Sequence, residues 1–252
     1  MLEFSVCIEM FWRDLPMDER IRRVAALGFK AFEFWGWKDK NLDAIRAAKD
    51  QTGLAMSVMC IEPNFAMTDR ADGKTMVEGV VSSAAVAHSL GCSSLIVVPG
   101  NAPANESFEI TRRRMVRAFK RMAQAAEEHG VWLVIEPLNP LVDHKGIWLT
   151  TLAQAADIVE EVDSPHVKIL CDLYHQQVTE GNLIANLTRY APWIGHFHAA
   201  GVPGRHELVG GELDYRAILA AIKETSYTGY VGLEFSPSIG EEAALQQALT
   251  LL

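Results

Sequence analysis

From end to end the chain alternates between short apolar or β-branched runs and longer segments of helical period, and nothing else in it constrains the fold as tightly. Runs at 4–8, 31–35, 54–61, 94–98, 131–136, 167–172, 194–198 and 230–235 read as strands. Segments at 18–27, 42–51, 75–90, 107–129, 152–162, 179–190, 214–225 and 241–252 read as helices, four of them stopped by Gly28, Gly53, Gly91 and Gly130. Strands that alternate with helices form a parallel sheet covered by those helices. Eight such units in 252 residues predict an α/β fold, a closed (β/α)8 TIM barrel, as a single domain over 1–252. An open doubly wound sheet is the alternative, and the first run lacks the Gly-rich fingerprint such a sheet often carries. No linker-like segment divides the chain.

Apolar residues at 49% and charged ones at 22% are ordinary globular usage. A net charge of -9 argues against nucleic acid or an anionic membrane as partner, since both need clustered cations. The densest basic group, Arg112 to Arg114 with Arg117, Lys120 and Arg121, reads as the solvated face of one helix. Cys7, Cys60, Cys92 and Cys171 stand singly, as reduced core thiols do. With no leader-like start and no long apolar span, a soluble cytoplasmic protein is expected.

Functional groups of such a barrel sit at the carboxyl ends of its strands. The fifth run closes on Glu136, the sixth on Asp172 with His175 three residues later, the seventh on His198 and the eighth on Glu234. Three carboxylates and one imidazole converging on one rim, with no lysine among them, repel one another unless a divalent cation is present. Oxygen-rich ligation of this kind suits Mg²⁺ or Mn²⁺, with Co²⁺ as a further candidate, and requires no organic cofactor.

The stretch I-G-H-F-H-A-A-G-V-P-G-R-H-E, 194 to 207, joins this set to a Gly/Pro turn. A period of two puts His196 and His198 on one face, His196 a layer deeper in a packing or supporting role. Arg205 offers a planar cationic fork for an oxyanion. His144 falls on an active-face loop, while His88, His129 and His166 read as surface groups. Trp12, Trp35 and Trp37 follow the first two strands as candidate pocket walls, whereas Trp132 and Trp193 read as packing.

The segments L-V-I-E-P-L-N, D-L-Y-H-Q-Q-V-T-E-G-N-L, H-F-H-A-A-G-V-P-G-R-H-E and G-Y-V-G-L-E-F resemble the hydroxypyruvate isomerase family, among the xylose isomerase-like barrels that also include the D-tagatose and D-psicose 3-epimerases. The resemblance implies metal ligation by Glu136, Asp172, His198 and Glu234, proton exchange by Glu136 and Glu234, and substrate contacts by His175 and Arg205. It also implies a homo-oligomer, a dimer or tetramer. Glu9 to Trp12 and the W-G-W at 35 to 37 have no counterpart in that pattern.

Such a site can bind a small hydroxy-carbonyl substrate, remove its α-proton and stabilise the resulting enediolate. Isomerisation of hydroxypyruvate to tartronate semialdehyde is the leading expectation. A ketose 3-epimerase of D-tagatose, D-psicose or L-ribulose type is the alternative. A metal-dependent apurinic endonuclease is a remote one, disfavoured because strands three and four end without a histidine.

Overall fold

Every strand pairing in the sheet is parallel, in a computed structural model that describes residues 2–63 and 74–252. The strands are β1 (Glu3–Cys7), β2 (Ala31–Glu33), β3 (Ala55–Met56), β4 (Met59–Cys60), β5 (Ser94–Val97), β6 (Trp132–Ile135), β7 (Val167–Asp172), β8 (Ile194–Ala199) and β9 (Tyr230–Leu233). They are ordered β3-β2-β1-β9-β8-β7-β6-β5-β4. β3 and β4 stand at opposite ends of that order, yet only Ser57 and Val58 separate them in the chain. They are therefore two pieces of one barrel strand, the run expected at 54–61. Ser57 N–H donates to Phe32 O (3.0 Å) and Cys60 N–H to Trp35 O (3.2 Å), and the ring closes at eight strand positions.

Helices α1 (Met17–Ala26), α2 (Leu42–Thr52), α3 (Lys74–Ser89), α4 (Phe108–Glu128) and α5 (Leu152–Val162) follow the predicted order. Capping is local: Asn41, Ser107 and Thr151 each accept a backbone N–H of their helix, Thr151 in a reciprocal box with Gln154. The helix expected at 179–190 is instead two, α6 (Leu173–Thr179) and α7 (Leu183–Tyr190). Gly181 and Asn182, at φ 63° and 51°, break the helical path. The Asp172 carboxylate caps α6 by accepting from His175 N–H at 3.0 Å, so strand end and helix start coincide at a site residue. α8 (Tyr215–Lys223), capped by Asp214, and α9 (Glu241–Leu249) complete the set.

Alternation along the strands sorts the interior. Leu95, Val97, Leu133, Ile135, Ile169, Cys171 and Phe197 join the core under the helices, while Ile96, Val134 and Leu170 form a separate cluster with Val58, Cys60 and Leu138. Counting on by two from Val134 and Leu170 reaches Glu136 and Asp172. Polar groups thus cap an inward file that begins apolar. Trp193 packs on the core as expected, but Trp132, at the start of β6, is exposed beside His166.

Candidate active site

Asp172 and His198 lie within β7 and β8, and Glu136 and Glu234 directly follow β6 and β9. All four are buried, and one ligating atom from each lies within 4.8 Å of the others. His198 Nδ1 is 3.4 Å from Glu234 Oε2 and 3.7 Å from Glu136 Oε1. Asp172 Oδ2 and His198 Nδ1 are buried with no hydrogen-bond partner. Buried carboxylates around an imidazole with free lone pairs form a donor set that a divalent cation fits.

The electrostatics of the two glutamates differ. Burial holds the Glu136 carboxyl above its usual range, and its His198 contact only partly offsets this. Burial acts on Glu234 the same way, but Arg205 and His198 override it and hold that carboxyl well below. Burial alone would lower His198, yet Glu234 and Glu33 raise it well above an ordinary histidine.

Sequence reasoning passed over Glu33, the last residue of β2. It is buried, with Oε1 2.9 Å from His198 Nε2 and Oε2 3.3 Å from His196 Nε2. The His198 contact is oblique, an ion-pair contact rather than a hydrogen bond of ordinary angle. Ser57 Oγ donates to Oε2 at 2.8 Å. His196 accordingly supports this carboxylate from below. The signal for Glu33 was a lone acid inside the apolar run A-F-E-F-W.

Arg205 comes from the turn after β8, where Gly201 N–H donates to His206 O at 2.8 Å. A Cβ on Gly201 would stand 2.1 Å from Glu207 O, so only glycine permits this closure. The guanidinium donates to Glu234 Oε2, lies 3.5 Å from Asp172 Oδ2, and covers the Tyr174 ring. It is thus engaged by the site's own acids, and its Nε is buried without a partner.

His175 lies on α6 with its tautomer set from behind. Asn139 Oδ1 accepts from Val142 and Asp143 N–H, which turns its amide nitrogen to His175 Nδ1 at 2.7 Å. Nδ1 must then accept, leaving the ring proton on Nε2, which is buried with no hydrogen-bond partner. Burial lowers this histidine to about 4, so it is a neutral donor. His175, Glu136, His198, Arg205 and Glu234 line one cavity of about 410 Å³, opposite an apolar wall that includes Cys60, Ile96, Val98 and Leu138. His144 reaches it too, its ring 5.2 Å from that of His175. Trp35 lines the same cavity, whereas Trp12 is buried in the core.

Fold and site together define a parallel (β/α)8 barrel with an acid-rich centre at the carboxyl ends of its strands. A sequence model described as xylose isomerase-like TIM barrel matches residues 21–252, and the chain belongs to that family. It is 30% identical to a putative hydroxypyruvate isomerase of Danio rerio, over 97% of this chain and 94% of that protein. It is 28% identical to the hydroxypyruvate isomerase of Escherichia coli, over 98% of both, and 29% identical to a 2-oxo-tetronate isomerase of Cupriavidus necator, over 97% and 96%. The resemblance to the hydroxypyruvate isomerase family therefore holds over nearly the whole chain, and the protein is an isomerase-type enzyme. Among solved structures, an AP endonuclease, family 2, from Brucella melitensis superposes with TM-score 0.93 at 24% identity over 99% of both chains. A 3-keto-D-glucoside 4-epimerase from E. coli gives 0.85 at 23% over 99% and 98%. These two share the fold.

Proposed function

We propose that the protein is a divalent-metal-dependent isomerase that interconverts hydroxypyruvate and tartronate semialdehyde by proton transfer. The convergence of Glu136, Asp172, His198 and Glu234 on one buried focus carries this reading, alongside the full-length hydroxypyruvate isomerase relatives. Those four residues would hold the ion, Mg²⁺ or Mn²⁺ by donor type, and the bound ion supplies Lewis-acid polarisation of a carbonyl.

The chain's own groups do the rest. His175 Nε2–H donates to a substrate oxygen. Arg205 offsets the negative charge that develops as the α-proton leaves. Glu136, short of hydrogen-bond donors and raised by burial, exchanges that proton with the substrate carbon, and Glu234 serves the opposite transfer.

A ketose 3-epimerase is the second reading, because a cavity of about 410 Å³ has room for a longer polyol and the same proton transfers serve it. Endonuclease chemistry is not proposed: the third and fourth barrel strands, 54–61 and 94–98, end without a histidine, and the net charge of -9 disfavours nucleic acid. We further read the chain as a homo-oligomer, supported by exposed Leu141, Val142, Val209 and Ile239 on active-face loops, and as cytoplasmic, in line with its four buried free cysteines.

A coupled assay of hydroxypyruvate against D-fructose, D-psicose and L-ribulose, with Mn²⁺ or Mg²⁺ restored after chelation, tests the reading. Turnover of hydroxypyruvate alone supports it, and turnover of a ketose alone favours the epimerase. No turnover on any substrate with metal bound refutes both.

A further inference from the structure

The W-G-W segment at 35–37 lies on the active face, outside the set of ligands and substrate contacts. Trp35 Nε1–H donates to Glu234 Oε1 at 2.6 Å, while Arg205 donates to the other oxygen, Oε2. The Glu234 carboxylate is therefore held at both ends, by a cation on one side and a neutral donor on the other. Trp35 is itself anchored. Its N–H donates to Glu9 Oε1 (3.3 Å), its carbonyl accepts from Cys60 N–H (3.2 Å), and Glu9 is paired at 2.8 Å with Lys40, whose side chain is only 7% exposed.

We propose that Trp35 is a positioning residue for Glu234, fixing the carboxylate plane through its indole N–H. The assignment rests on the reading of Glu234 as a proton-exchanging group. A neutral donor suits this position because it satisfies Oε1 in a buried setting without adding a second cation that would neutralise the carboxylate further. By contrast, Glu136 accepts no hydrogen bond from a described side chain and only faces His198 Nδ1 at 3.7 Å, so one glutamate is clamped and the other is not.

Trp35→Phe keeps the ring and removes the N–H. The expected result is a fall in kcat of about tenfold with KM within about twofold, as for loss of a bond that orients a reacting group. Unchanged kcat, or a rise in KM alone, would make Trp35 merely a wall and overturn the proposal. Lys40→Met, outside the metal and proton-transfer groups, loosens only the anchor and should lower kcat in the same direction by less. The contact itself is read without turnover: the Trp35 indole ¹H–¹⁵N cross-peak should lie downfield in the unmodified protein and move upfield in Glu234→Ala. A Trp35 signal indifferent to Glu234 refutes the role even in an active enzyme. An unmodified enzyme that turns over none of the four substrates removes the isomerase reading and this role with it.

Discussion

Glu33 and His198 meet inside the barrel with Oε1 and Nε2 2.9 Å apart, although their strands, β2 and β8, are separated in the sheet by β1 and β9. The contact places a carboxylate behind the one imidazole of the proposed metal set and leaves Nδ1 facing the acids. With an ion bound at Nδ1, a carboxylate there would hold the remaining ring proton on Nε2. Glu33→Gln should therefore weaken divalent-ion binding by about 10- to 100-fold. Calorimetric titration of Mn²⁺ into chelator-treated protein measures it, with circular dichroism as the check on folding, and equal affinity in both proteins would refute the role.

That closeness depends on Gly232 of β9. A Cβ at this position would stand 2.3 Å from Glu33 Oε1 and 2.7 Å from His198 Cδ2, both buried. Gly232→Ala should cost about 1–3 kcal/mol of stability, as overpacking does, and displace one of the pair. Urea unfolding reads the first effect and Mn²⁺ affinity the second.

The Asn139–His175 bond predicts a change of tautomer. In Asn139→Asp the new carboxylate accepts where the amide donated, so the ring proton moves to Nδ1 and Nε2 becomes an acceptor. KM should rise roughly tenfold through loss of the donor to substrate. The ¹⁵N shifts of the His175 ring report the switch directly.

Tyr215 supports the turn that carries Arg205. Its hydroxyl donates to Ala200 O at 2.7 Å and accepts from Ala200 N–H at 3.0 Å, all buried. Tyr215→Phe leaves both backbone groups unpaired and should cost about 2 kcal/mol in urea unfolding.

Glu207 closes the same turn. Burial would raise its carboxyl, but hydrogen bonds from Ser238 Oγ, Ser238 N–H and Ile239 N–H hold it below the usual value. A folded-state value below the unfolded one stabilises fully above the unfolded value, and the gain is lost as pH falls through the folded value. Glu207→Gln should therefore destabilise the protein at pH 7, by a margin that shrinks from about pH 4 downward in thermal melts at stepped pH.

Sequence periodicity identified the parallel barrel and the polar rim residues Glu136, Asp172, His198 and Glu234, because a polar residue closing an apolar run is visible in one dimension. It placed a single helix at 179–190 and left 173–178 without one, since Leu173 to Thr179 carries no strong helical stripe of its own and Asp172 doubles as ligand candidate and cap. It missed Glu33 and Asn139, whose partners His198 and His175 stand far along the chain from them.

What the sequence determined alone was which strand ends carry acids and imidazole, a property of residue order and strand period. Only the tertiary structure decided which partners those groups take: Arg205 on Glu234 where both line the cavity, Trp35 on the other oxygen of that carboxylate, Glu33 behind His198. Ring closure brings strands from distant parts of the chain around one axis. Burial then forces each charged group to take whatever partner that closure supplies.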